Sequence, residues 1–129
     1  MNRSELRKKA SAYALQVVIL ATLLHFGIRL WGPDSVQTPS AWSYAFVMLF
    51  YLIDGGVWLF VTSRYKEYLT SFFTGTSGFR FLLALAVIGV YYWVYGSAAM
   101  MSFLLVFMAY YLLLLAHHSI FFSRVSNRL

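Results

Sequence analysis

From Phe81 to Ser123 the chain carries no lysine, arginine, aspartate or glutamate. A helix crossing a bilayer takes ~20 predominantly apolar residues, so this stretch is too long for one crossing and suits two. Gly96-Ser97 is the only turn-like dipeptide near its middle, which predicts a tight helical hairpin. The rest of the chain follows the same pattern. Of 129 residues, 61% are hydrophobic and 11% charged, whereas soluble domains run near half apolar and a quarter charged. A soluble domain also needs polar residues to cover its surface. The expected fold class is therefore an all-α membrane protein with a single domain over residues 1–129.

Four transmembrane helices are expected, over residues 10–31, 41–62, 79–95 and 98–122. The connection from Gly32 to Ser40 holds both prolines and one acid and no base, which ends the first span and starts the second. Basic residues cluster elsewhere. Arg3, Arg7, Lys8 and Lys9 precede the first span, Arg64 and Lys66 lie between the second and third, Arg80 opens the third, and Arg124 and Arg128 follow the fourth. Nine of the ten basic residues thus fall on one side, and by the positive-inside rule that side is cytoplasmic. Both termini are expected there. The first span is read as a retained helix, since it exceeds the ~7 to 15 residue apolar region of a signal peptide and no small-x-small site ends it.

The net charge of +6 belongs to these flanks, where it orients the chain and meets anionic headgroups. Membrane lipids are the expected partners, and nucleic acid is not. Between the second and third spans, Tyr65, Leu69, Phe72 and Phe73 recur at helical spacing, which predicts an interfacial helix over about 64–73. Gly75 to Gly78 (GTSG) is expected to break it.

Ionisable residues inside a span are costly and are functional candidates by default. Asp54 is the only acid in any span. One reading is a carboxyl that holds the second helix to a neighbour, with Gly55 and Gly56 permitting close approach; the other is an ion or proton site. Gln16, His117, His118 and Arg80 share its half of the membrane and complete a candidate polar site. Neighbouring histidines point about 100° apart on a helix, so His117 and His118 cannot chelate one metal together as an i, i+4 pair does. No metal is expected. Thr22, His25 and Arg29 share a face of the first span near its outer end, where Arg29 anchors at headgroups. Outer aromatics (Trp31, Trp42, Tyr44, Tyr92, Trp93, Tyr95) and inner ones (Tyr13, Trp58, Tyr65, Phe121, Phe122) are expected as interfacial belts.

Nothing points to catalysis. The chain has no cysteine, and no HExxH, Gly-rich phosphate loop or carboxylate pair. The expectation is a protein that is not an enzyme and takes no cofactor.

From Tyr65 onward the sequence runs through an aromatic and basic loop, the GTSG turn, Arg80 in GFRFLLAL, a very short hairpin and the aromatic FLLVFMAYY. In this it resembles the ATP synthase protein I family, particularly the divergent four-span members of Bacteroidetes-type bacteria. The specific part covers Phe72 to Tyr111. The resemblance implies a non-catalytic accessory protein that assembles or stabilises the membrane rotor ring of the F-type ATP synthase, with that enzyme's membrane subunits as partners. It places Arg80 where members commonly carry lysine; divalent-cation uptake has also been suggested for the family. Packing against partner helices would use the small residues Gly55, Gly56, Ala84, Ala86 and Gly89. The alternative is a small ion or proton transporter or channel using Asp54, and a homo-oligomer is compatible with either.

Overall fold

The computed structural model describes residues 2–126 and consists of four long helices: α1 (Arg3–Trp31), α2 (Gln37–Arg64), α3 (Leu69–Tyr95) and α4 (Met100–Ser126). All four are long and apolar enough to cross a membrane. At a rise of 1.5 Å per residue each is ~40 Å long, against a hydrocarbon thickness of ~30 Å, so each has length to spare at its ends. Arg128, counted above among the basic residues, lies outside the described residues.

Each helix runs past its expected span at one end or both, and the early start of α1 has a visible cause. Asn2 accepts the Glu5 backbone N–H on its side-chain oxygen at 2.9 Å, which starts α1 seven residues early. Its other end is closed by Gln37, whose amide nitrogen donates to the carbonyls of Ile28 (2.9 Å) and Gly32 (3.2 Å). Pro39 sits in the first turn of α2, where a missing backbone donor costs nothing. The connection shrinks to Gly32, Pro33 and one 3-10 turn over Asp34–Val36.

The segment 64–73 differs from the expectation. Arg64 ends α2, Lys66–Tyr68 form one 3-10 turn, and Leu69 opens α3, which continues unbroken through Gly75 to Gly78. Glycine is a weak helix former rather than a forbidden one, and Thr76 ties its hydroxyl back to the Phe72 carbonyl at 2.8 Å across that stretch. The break falls at Tyr65 instead. Gly96, with φ of 82° and ψ of 179°, makes the hairpin between α3 and α4; that conformation is essentially restricted to glycine.

Each helix buries one stripe. On α2 it runs through Val47, Phe50, Tyr51, Asp54, Gly55, Trp58 and Thr62; on α4 through Phe103, Phe107, Tyr110, Leu114, His118 and Phe122. These spacings of three and four residues are those of a single helical face. The opposite faces carry exposed Leu15, Leu23, Phe26, Leu82, Leu105 and Leu112, a surface suited to lipid rather than water. Helix α2 lies at the centre and packs on all three others, while α3 leans mainly on α2 and touches α4 more lightly.

Burial revises two of the expected belts and packing faces. Tyr13 and Trp58 are fully buried and Phe122 is 1% exposed, so they form the core at the inner end rather than a belt; Trp58 and Phe122 rings lie 5.2 Å apart. At the outer end Trp31 and Trp93 are exposed, while Trp42 turns inward to meet Tyr91 edge-on at 5.3 Å. Among the glycines expected to pack, only Gly55 is in close contact. A Cβ there would lie 2.7 Å from the Tyr13 ring, whereas Gly56 and Gly89 have nothing within 4 Å of theirs. Gly56 and Gly89 therefore do not pack helices within this bundle.

Candidate functional site

The site is organised by Asp54 on α2 and Arg80 on α3. Asp54 lies ten residues before the end of α2 and Arg80 eleven after the start of α3, which puts both ~15 Å from their inner ends. Equal depth lets them meet. Arg80 Nη1 donates to Asp54 Oδ2 at 2.6 Å, and the two residues are 2% and 4% exposed. The other terminal nitrogen, Nη2, donates to Ser77 Oγ at 3.2 Å, one turn back on α3. The guanidinium also lies over the Tyr51 ring, 4.7 Å from its centroid, where the electron-rich face attracts a cation. Tyr51 is held in turn by its hydroxyl, which donates to the Tyr111 carbonyl at 3.2 Å.

An isolated charge in this setting would be prohibitively costly, and an ion pair is the arrangement that tolerates it; Arg80 Nε and His118 Nε2 stay buried without a hydrogen-bond partner among the described residues. The pair joins α2 and α3 toward one end, while Trp42 on α2 packs against Tyr91 and Tyr95 on α3 toward the other.

The two histidines separate. His118 faces the bundle, with Nε2 3.7 Å from Asp54 Oδ2 and no hydrogen-bond partner among the described residues. His117 faces a cleft between α1 and α4, where its Nε2 donates to Gln16 Oε1 at 2.6 Å. Tyr13 bridges them: its ring stacks on His117 at 5.5 Å and meets His118 edge-on at 5.9 Å. Gly55 is the reason that ring fits against α2. The structure thus brings Asp54, Arg80 and His118 together, and sets Gln16 and His117 apart behind Tyr13.

Tyr13 and Ser77 escaped the sequence reading, Tyr13 because an aromatic near a span end reads equally well as belt or core. So did a second polar group toward the other end of the bundle. His25 Nδ1 and Ser40 Oγ are 2.9 Å apart, Ser40 Oγ and Tyr110 Oη 2.9 Å, and Thr22 Oγ1 and Tyr44 Oη 2.9 Å. The signal was present in part: Thr22 and His25 share a face, and Ser40 continues the buried stripe of α2. These contacts tie α1, α2 and α4 and leave α3 out.

The described residues hold no group of three or more metal-ligating side chains.

The chain matches no family model, no curated protein and no solved structure.

What the site does chemically follows from its geometry. A carboxylate with a guanidinium at 2.6 Å is neutralised where it stands, and among the described residues no second carboxylate joins the pair.

Proposed function

We propose that this chain is a non-catalytic accessory protein of a bacterial cytoplasmic membrane, similar in role to the assembly factors of the F-type ATP synthase rotor ring. The observation that carries this reading is the pairing of Asp54 with Arg80. The only acid within the spans is committed to holding α3 on α2, which leaves that carboxylate unavailable to carry an ion.

A surface for partner helices lies beside that pair. Between α2 and α3 an apolar cleft of about 470 Å³ runs past Trp42, Phe46, Phe50, Phe79, Leu83 and Ala86. Gly89 on α3 is exposed, with open space where a side chain would stand, and lets another backbone approach. The distribution of basic residues supports a cytoplasmic side for both termini and for the connection between α2 and α3. Because α3 is longer than the hydrocarbon is thick, its first turns, with exposed Thr70 and Ser71, reach the interfacial layer.

A mild-detergent pull-down of the tagged chain from its native membrane, read by mass spectrometry, tests this. Enrichment of F-type synthase membrane subunits over matched membrane controls is expected. Recovery of the chain alone as a defined oligomer would overturn it.

One observation favours a second reading, a proton carrier using Asp54: His118 Nε2 stands unpartnered 3.7 Å from the carboxylate, close enough to exchange a proton after a small side-chain movement. Proton flux in reconstituted vesicles, abolished by Asp54→Asn, would support it; absence of flux would remove it.

A further inference from the structure

At the basic end of the bundle, α1 and α2 enclose a cleft of about 290 Å³ whose rim is Arg3, Arg7, Ser63 and Arg64 and whose wall is Gly56 and Phe60. Arg3 and Arg7 are one turn apart and share a face of α1. Arg64 closes the rim from the end of α2, with its guanidinium 5.6 Å over the Phe60 ring. No acidic side chain lines the cleft. None of the three guanidinium groups is paired with a carboxylate among the described residues.

The wall has the opposite chemistry. Gly56 lies seven residues before Ser63 on α2, ~10 Å deeper along the axis. It presents open space where any side chain would stand. Three fork-shaped cations above an apolar strip of that length match a phosphate group carrying an acyl chain. A free anion would have no use for the strip, and an uncharged lipid none for the rim.

We propose that this cleft is a binding site for one anionic phospholipid, its phosphate among Arg3, Arg7 and Arg64 and its acyl chain along Gly56 and Phe60. The site rests on the reading that α1 and α2 span a bilayer with this end at the headgroups. It is independent of which protein, if any, is the partner. It makes the three arginines a specific lipid contact rather than a diffuse orienting charge, and pins the start of α1 to the end of α2.

The test is native mass spectrometry of the full chain in a mild nonionic detergent, with phosphatidylglycerol, phosphatidylcholine of the same acyl chains, or inorganic phosphate added. Phosphatidylglycerol is expected to be retained at least about tenfold better than phosphatidylcholine, and inorganic phosphate in large excess should not displace it. The triple variant R3Q/R7Q/R64Q should lose that preference, while K8Q/K9Q/R124Q, with as many charges removed, should keep it. Gly56→Leu fills the strip without touching a charge and should lower retention several-fold. Equal retention of the two lipids, equal loss in both triple variants, displacement by phosphate alone, or unchanged retention in Gly56→Leu would each overturn the assignment. A failed pull-down leaves all of these outcomes unaffected, so the two readings fail separately.

Discussion

Removing Arg80 and removing the whole Asp54–Arg80 pair are different perturbations, and the difference measures what the pair does. Arg80→Met leaves a carboxylate buried without its cation, at a cost of about 3 to 5 kcal/mol. The double variant Asp54→Leu/Arg80→Met leaves two apolar side chains and should recover most of that loss, since an ion pair this deep gains little over good packing. Thermal unfolding in detergent of both single variants, Arg80→Met and Asp54→Leu, and of the double variant gives the coupling. A double variant as unstable as the single would show that the pair is not the unit of stabilisation. Gly55 makes a similarly local prediction. Gly55→Leu drives a side chain into the Tyr13 ring, 2.7 Å from the position of the added Cβ, and should destabilise by about 1 to 3 kcal/mol. Gly56→Ala, one residue on and in open space, should be neutral or stabilising by up to about 1 kcal/mol. Adjacent glycines with opposite outcomes would locate the α1–α2 contact by stability measurement alone.

At the scale of the element, α3 is where composition and structure part. Four residues of the type Gly-Thr-Ser-Gly read as a break, yet the helix continues through them because glycine weakens a helix without forbidding it, Thr76 bonds back to the Phe72 carbonyl, and the leucines and alanines from Leu82 to Ala86 carry the helix on. Gly75→Ala and Gly78→Ala, both at positions with no neighbour within 4 Å, should each raise the stability of α3 by about 1 kcal/mol. A raised melting temperature checks the continuous helix, and a lowered one would restore the break. Gly96 behaves oppositely. With φ at 82°, Gly96→Ala should cost about 1 to 3 kcal/mol and loosen the α3–α4 hairpin, visible as faster hydrogen exchange at the ends of both helices.

For the whole molecule, orientation is the property most open to a direct test, because the chain has no cysteine and every introduced thiol is a clean reporter. Ser35→Cys and Ser97→Cys, at exposed positions in the two outer turns, should react with an impermeant maleimide on intact cells. Glu67→Cys, exposed in the connection between α2 and α3, should react only after permeabilisation. The reverse pattern would invert the topology. The uneven packing of the bundle has its own consequence: α1, α2 and α4 share the polar contacts around His25, Ser40 and Tyr110, while α3 stands outside that network and is held by the Asp54–Arg80 pair and the apolar contacts of Phe72, Phe73 and Tyr91. Helix α3 is therefore the element expected to move when a partner enters the cleft beside it.

The sequence by itself determined the number of long apolar helices and the hairpin at Gly96, though not where α3 begins, because a sufficient apolar run and a chain reversal are settled residue by residue against the solvent. An apolar run of sufficient length, or a glycine where the chain must reverse, acts without reference to any other helix. It also singled out Asp54 as the one acid inside a span and Arg80, Gln16 and the two histidines as its candidate neighbours. Only the tertiary structure decided who meets whom: that Asp54 takes Arg80, that His118 rather than His117 stands beside them, that Tyr13 is core, and that Gly55 packs while Gly56 does not. The physical reason is that a 3.6-residue period fixes which side chains share a face of one helix, but not the rotation and depth of that helix against the next. Those two quantities come from the packing of all four stripes together, and the pair of charges at equal depth on α2 and α3 selects among packings because any register that separates them leaves a charge buried alone.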